Sequence, residues 1–116
     1  MSTLVSGEGK IGAIATIGKT VVWADATNQL IRIRDVGDSS AARTLIDNQL
    51  VADLTADTAT IFWSTQTGSL WAWSLESNSG RLLAVDIGDL GAVKADATHV
   101  YFVTSDDDGG IARVAK

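Results

Sequence analysis

The chain has 116 residues, of which 46% are hydrophobic and 20% charged; this suits one ordered globular domain and excludes a disordered chain. Nine basic and fourteen acidic residues give a net charge of −5, so nucleic acid and anionic membranes are not expected partners. Cysteine is absent, which excludes disulfides and thiolate metal sites.

The first ten residues are not expected to form an export signal. The first ten residues, MSTLVSGEGK, lack the apolar core of a signal peptide, and no apolar run approaches the ~20 residues of a membrane span. We therefore expect a cytoplasmic protein, or an exported one expressed without its leader.

Three successive segments repeat one pattern of short strands. Residues 11–49 contain GAIAT, TVVWA, LIRIR and RTLID, and residues 50–89 contain VADLT, TIFWS, LWAWS and RLLAV. Residues 90–116 contain GAVKA, HVYFV and IARVA and stop after this third strand. β-branched and aromatic residues fill these runs, and Gly, Asn, Asp and Ser separate them, which is typical of strands joined by turns.

The second strand of each repeat is apolar at consecutive positions rather than alternate ones. Trp63 lies 40 residues after Trp23, and Phe102 lies 39 residues after Trp63. A strand that is apolar on both sides is buried on both faces, as when antiparallel sheets stack face to face. Repeats of about 40 residues with four strands each, packed radially, predict an all-β fold of β-propeller blades.

Two phrases resemble the blade repeat of bacterial β-propellers. DATHVYFVT with GGIARVAK, and TVVWADATNQLIRIR, are similar to a family pattern in which an Asp-Ala-Thr-x-Val-Tyr-Trp strand precedes a Gly-x-Ile/Val-x-Lys/Arg-Val strand. The resemblance covers residues 11–116 and implies a bacterial propeller of a kind common in predicted surface proteins of unassigned role. The chain departs from the pattern after the third strand, where VGDSSAAR and LESNSGR replace a glycine-rich turn.

The N-terminus is predicted to supply a fourth strand. TLVSGEGKIGAIA, from Thr3, is similar to TLIDNQLVADLTA, from Thr44. Three blades fall short of the ~4 to 8 blades of a closed ring. We therefore expect a head-to-tail homodimer with six blades, in which residues 1–10 complete the partner's incomplete third blade by strand exchange. The residues expected to pair between subunits are Thr3, Leu4 and Val5 with Ile111, Ala112, Arg113 and Val114.

The aromatic residues mark the predicted blade core. Residues at equivalent repeat positions are all apolar, as core packing requires. Sugar binding between blades, as in some propeller lectins, is the alternative use of such tryptophans. The predicted core consists of Trp23, Trp63, Phe102, Trp71, Trp73, Ile31 and Ile33.

Three polar or glycine-rich motifs are interpreted as turns. Ser105–Gly110, SDDDGG, lacks the spaced ligands of an EF-hand loop and is predicted to be a solvated turn rather than a calcium site. Asp57 and Asp96 open equivalent turns and should accept hydrogen bonds from backbone N–H groups. Gly7–Gly12, GEGKIG, resembles half a phosphate loop but lacks the Gly-Lys-Ser/Thr ending.

The remaining titratable residues offer little for catalysis. His99 is the only histidine, and threonines occupy its equivalent positions in the other repeats. Four arginines are candidates to ring a channel mouth and bind an acidic ligand, although their stems can equally cover strand surface; they are Arg32, Arg43, Arg81 and Arg113.

The sequence therefore favours a non-enzymatic module that acts as a binding or structural scaffold through its own assembly, without cofactor or metal. A natural, designed or excised fragment with no activity of its own fits the same pattern. The alternative is a propeller that binds a small molecule or carbohydrate. A lyase-type enzyme is the third hypothesis, and the single histidine disfavours it because propeller lyases use a channel-facing histidine and metal ligands.

Overall fold

Runs of β-branched and aromatic residues form the strands of this protein, and polar turns separate them. The structure is a computed structural model that describes residues 3–37, 41–85, 92–104 and 110–116. Within these ranges it contains eleven strands and no helix, arranged as three antiparallel sheets. The predicted all-β fold of antiparallel sheets is confirmed.

Each sheet corresponds to one sequence repeat, and we call the sheets blades 1, 2 and 3. Blade 1 is formed by β1 (Ile11–Ile17), β2 (Thr20–Asp25), β3 (Leu30–Asp35) and β4 (Arg43–Ile46). Blade 2 is formed by β5 (Val51–Ala56), β6 (Thr60–Thr65), β7 (Leu70–Ser74) and β8 (Ser79–Ala84). Blade 3 is formed by β9 (Val93–Ala95), β10 (His99–Thr104) and β11 (Gly110–Ala115).

The blades pack in a row with their first strands adjacent, so that β5 lies between β1 and β9. One apolar core lies between blades 1 and 2 and includes Val22, Ile31, Leu54, Ile61 and Trp63. A second core lies between blades 2 and 3 and includes Phe62, Leu70, Val93, Val100 and Phe102. The second strand of blade 2, β6, contributes to both cores, because alternate side chains of a strand point to opposite faces.

The turns between the first two strands of blades 2 and 3 are built on aspartates, as predicted. Asp57 Oδ1 accepts hydrogen bonds from the backbone N–H groups of Ala59 and Thr60, at 3.0 and 2.8 Å. Asp96 Oδ1 accepts from those of Thr98 and His99, both at 2.8 Å. The short aspartate side chain at the start of each turn thus accepts hydrogen bonds from backbone N–H groups that the strands leave unpaired.

The Asp57 carboxylate also pairs with Lys116 Nζ at 2.7 Å, which links blade 2 to the end of blade 3. Burial opposes its charged form, but the N–H group of Ala59, Lys116 and the N–H group of Thr60 together hold the pKa of Asp57 below its usual value. The unfolded chain therefore takes up a proton here more readily than the folded chain. The stabilisation is complete above the usual pKa of about 4 and is lost as the pH falls below it.

Removing the Asp57 carboxylate should destabilise the protein. We expect Asp57→Ala to lower the free energy of unfolding by about 1–2 kcal/mol at pH 7, because a partly exposed charged acceptor is lost. Urea unfolding followed by circular dichroism measures the difference. Asp57→Asn is the matched control, since it keeps an oxygen for the N–H groups but abolishes this part of the acid dependence. An alanine variant as stable as the parent would contradict the prediction.

No helix in the described ranges is long and apolar enough to cross a membrane.

Candidate functional site

The two ends of the blade row present the surfaces on which a further blade would pack. The front face is the side of blade 1 turned away from blade 2, and its members alternate with core residues along their strands. The rear face is the side of blade 3 turned away from blade 2, by the same alternation. The front face comprises Ile14, Val21, Trp23, Arg32, Arg34 and Thr44; the rear face comprises Tyr101, Val103, Ile111 and Arg113.

Apolar side chains are exposed on the rear face. Ile111 is 79% exposed and Val103 is 41% exposed, and the two are cross-strand partners. Their neighbours Phe102 and Ala112 point the other way, into the core shared with blade 2. The rear face therefore exposes an adjacent pair of aliphatic side chains beside the free edge of β11.

The front face is partly covered by the chain's own N-terminal segment, residues 3–10. Glu8 Oε1 accepts a hydrogen bond from Trp23 Nε1 at 3.1 Å and another from Arg32 Nε at 3.0 Å. Farther along, the carbonyl oxygen of Leu4 accepts from Arg34 Nη1. These contacts leave Trp23 only 1% exposed, although it belongs to the end of the row.

The N-terminal segment reproduces the connection between blades 1 and 2. In that connection Asn48 has a positive φ of 54°, and Gln49 Oε1 accepts from Trp63 Nε1 at 2.9 Å. At the N-terminus Gly7 has a φ of 73° and Glu8 accepts from Trp23, the repeat equivalent of Trp63. Residues 3–8 therefore contact the front face of blade 1 as residues 44–49 contact the equivalent face of blade 2.

The strand predicted at Thr3, Leu4 and Val5 is not formed within the single chain, where these residues lie outside any sheet. β11 is an edge strand of blade 3, and no described strand lies beyond it. The proposed partner edge, Ile111 to Val114, is thus available, with Ile111 and Arg113 exposed and Ala112 and Val114 half-buried. Pairing between subunits stays a prediction.

The residues predicted for the blade core divide into two groups. Trp23, Trp63, Ile31, Ile33 and Phe102 are at most 5% exposed. Trp71 and Trp73 are only half-buried, although both pack against the core between blades 1 and 2. They lie on β7, toward the outer side of the blade, where the layer is less completely covered.

Trp71 and Trp73 line a small cleft between blades 1 and 2. Trp71 stacks on Trp63 with ring centroids 6.3 Å apart, and the cleft has a volume of about 190 Å³. Gly80 lies against the ring of Trp73, where a Cβ would come within 2.8 Å of Cε3. Trp73 Nε1 is buried and has no hydrogen-bond partner among the described residues. The cleft is thus lined mainly by aromatic rings, and one of its tryptophans has a buried donor without a described partner.

The other sequence candidates do not come together in one site, and some lie outside the described ranges. Arg43 and Arg81 are exposed on the outer strands. His99 lies on the rear-face side of β10, with its ring centroid 6.3 Å from that of Tyr101, and its Nδ1 bonds the hydroxyl of Thr98 at 2.7 Å. Residues 105–109 of the acidic turn lie outside the described residues. In the described part of the chain no three His, Asp or Glu side chains are grouped so that they could hold a metal ion.

Glu8 is the site residue that the sequence reasoning missed. The signal was present, because the similarity of TLVSGEGK to TLIDNQLV places Glu8 on Gln49. The role of Gln49 as an acceptor for Trp63 becomes visible only in the folded chain.

The fold is that of β-propellers. The chain superposes on a structure of a nidogen/laminin complex with a TM-score of 0.75 and 18% identity, covering 89% of this chain and 43% of that one. A mitotic checkpoint complex gives 0.72 and 14%, covering 89% and 33%. The computationally designed Ika8 protein gives 0.68 and 18%, covering 83% and 30%. These neighbours are β-propellers, and at such low identity the likeness shows the fold alone.

The chain spans less than half the length of each of these three structures. No protein-family model matches its sequence, and a search of curated proteins finds no match.

Proposed function

We propose that this protein is a non-enzymatic propeller module whose chains associate head to tail into a closed ring, which serves as a binding or structural scaffold. The ring is a homodimer of six blades, with the rear face of each chain against the front face of the other. In it, Thr3, Leu4 and Val5 pair with β11 of the partner and complete its blade 3.

One observation carries this proposal. The N-terminal segment resembles the connection between blades at two equivalent positions, a left-handed residue (Gly7 for Asn48) and a side-chain acceptor for a buried tryptophan (Glu8 for Gln49). In the connection between blades 1 and 2, that path begins with the outer strand β4 of the preceding blade. In the proposed ring, residues 3–5 take the place of the outer strand of the neighbouring blade.

The two end faces support the same arrangement. The rear face exposes Val103 and Ile111 beside an unpaired strand edge, and a strand added there would satisfy the edge. Three blades do not reach the ~4 to 8 of closed propellers, whereas two chains supply six. One structural neighbour is a computationally designed protein, which is compatible with a propeller that acts as a scaffold.

The solution mass of the intact chain tests the proposal. Light scattering coupled to size exclusion should give a mass near twice 12.1 kDa across a wide range of protein concentration. A uniform mass of 12.1 kDa would overturn the assembly, and a larger uniform oligomer would overturn the count of six blades.

A second candidate function rests on the tryptophan cleft. Trp71 and Trp73 are half-buried at positions where blade 1 has Arg32 and Arg34, which are also half-buried, so the blade fold does not require large aromatic rings there. Such a cleft favours a small apolar-faced or sugar ligand. Because Trp73 Nε1 is buried, a ligand would reach this atom only if the indole side chain of Trp73 changed its rotamer. A glycan array and a thermal-shift screen, each with Trp71→Ala as control, would identify specific binding.

A further inference from the structure

The front face of blade 1 differs from the equivalent surface of blade 2 in its outer half. On blade 2 a cross-strand row runs through Leu54, Trp63, Trp71 and Leu82, and all four are apolar. On blade 1 the equivalent row runs through Ile14, Trp23, Arg32 and Thr44. The row residues on the first two strands are apolar in both blades. Those on the third and fourth strands are apolar in blade 2 but polar in blade 1.

The side chain that covers each row matches the polarity of that row. Gln49 covers the apolar row with a neutral amide that accepts from Trp63 alone among the described contacts. Glu8 covers the polar row with a carboxylate that accepts from both Trp23 and Arg32. Arg32 is in turn held by Thr44, whose Oγ1 accepts from Nη1 at 2.9 Å. Three changes, in the acceptor, the arginine and the threonine, thus form one connected set.

Burial makes this ion pair stronger than an ordinary surface pair. The side chains of Arg32 and Glu8 are 22% and 14% exposed. A charge-assisted hydrogen bond in such a position is poorly screened, and losing one partner leaves the other charge inadequately solvated. The pair also fixes direction, because Glu8 Oε1 is bound from two sides while Gly7 turns the backbone just before it.

We propose that the Glu8–Arg32 pair is the positioning element of the exchanged segment, which aims residues 3–5 at the partner's β11 and thereby sets the affinity between the two chains. This inference rests on the proposed ring and adds to it the residues that determine the strength of its junction. Glu8 and Arg32 belong to one chain, so they act on the partner only through the segment that they hold.

A charge exchange between the two positions tests the inference. The variants are Glu8→Arg, Arg32→Glu and the double variant, with Glu8→Gln as the conservative control that retains the acceptor used by Gln49. The dissociation constant of the dimer is measured by sedimentation at a series of concentrations. The indole ¹H–¹⁵N signal of Trp23 reports separately whether the segment is docked.

Each single reversal should weaken the dimer by at least about tenfold and shift the Trp23 indole signal, because like charges replace an ion pair. The double variant should recover part of the affinity, because it restores the ion pair but not the acceptor for Trp23 Nε1. Glu8→Gln should lie between the parent and the reversals. This rescue distinguishes a positioning pair from general damage to the fold.

Two results would overturn the inference. If the intact chain is dimeric and the reversals leave its dissociation constant unchanged, the pair does not position the exchanged strand, although the ring stands. If the double variant is as weak as both single losses combined, the two residues are not coupled. A monomeric intact chain would remove the ring itself and this inference with it.

Discussion

Deleting residues 1–6 should convert the proposed dimer of twice 12.1 kDa into a monomer of slightly less than 12.1 kDa, or into a polydisperse mixture. The deletion removes Thr3, Leu4 and Val5, the three residues proposed to pair with the partner, but leaves Glu8 in place. Without them the edge of β11 and the exposed Ile111 lose their proposed cover. Light scattering at matched concentrations compares the two chains.

A point substitution separates strand pairing from simple loss of chain. Val5 is the equivalent of Ile46, which pairs with Ile31. Val5→Pro should therefore weaken association because proline lacks the N–H that a paired strand donates, whereas Val5→Ile, the matched control, should leave the mass unchanged. Circular dichroism should show that both variants keep their strands, since residues 3–5 belong to no sheet of the single chain. A Val5→Pro protein with the mass and dissociation constant of the parent would rule out the exchanged strand.

Replacing Trp63 with alanine should cost about 3–5 kcal/mol of the free energy of unfolding, the range observed when large aromatic side chains are removed from cores. Trp63 is 1% exposed and packs in the core between blades 1 and 2. Its indole donates to Gln49 and stacks on Trp71, so the substitution also leaves the Gln49 acceptor without this donor and exposes the face of a second ring.

Leu82→Ala is the control for this substitution. Leu82 is the cross-strand partner of Trp71 in the same row but is 46% exposed, so its loss should cost only about 0.5 kcal/mol. Unfolding in urea must be compared at one protein concentration, because association of the chains contributes to apparent stability. Equal losses for Trp63→Ala and Leu82→Ala would show that the space between blades 1 and 2 is not a tightly packed core.

The strands and turns were predictable because the same sequence pattern occurs three times along the chain. TVVWA, TIFWS and HVYFV are each apolar on both sides, and only a sheet stacked between others accommodates that pattern. Asp57 and Asp96 recur at one repeat position, and their role in a turn depends on local backbone geometry alone. The repeats therefore predicted the features that depend on contacts within a single blade, namely the strands and their turns.

The features that depend on contacts between blades were harder to predict. Trp71 and Trp73 are apolar, as a core requires, yet their distance from the inner strands leaves them half-buried. The bond from Trp23 to Glu8 spans 15 residues and joins a strand to a segment with no regular structure, so no periodicity announces it. Only the packing of blade against connection shows which polar atoms meet.

The proposed pairing of residues 3–5 with β11 also has a consequence for gene architecture. Within blade 2 four residues, 75–78, separate the paired strands β7 and β8. A linker of similar length between Ala115 of one copy and Thr3 of the next would join the two proposed strand partners as a hairpin. A single chain made of two copies joined in this way is expected to fold as a continuous six-bladed propeller.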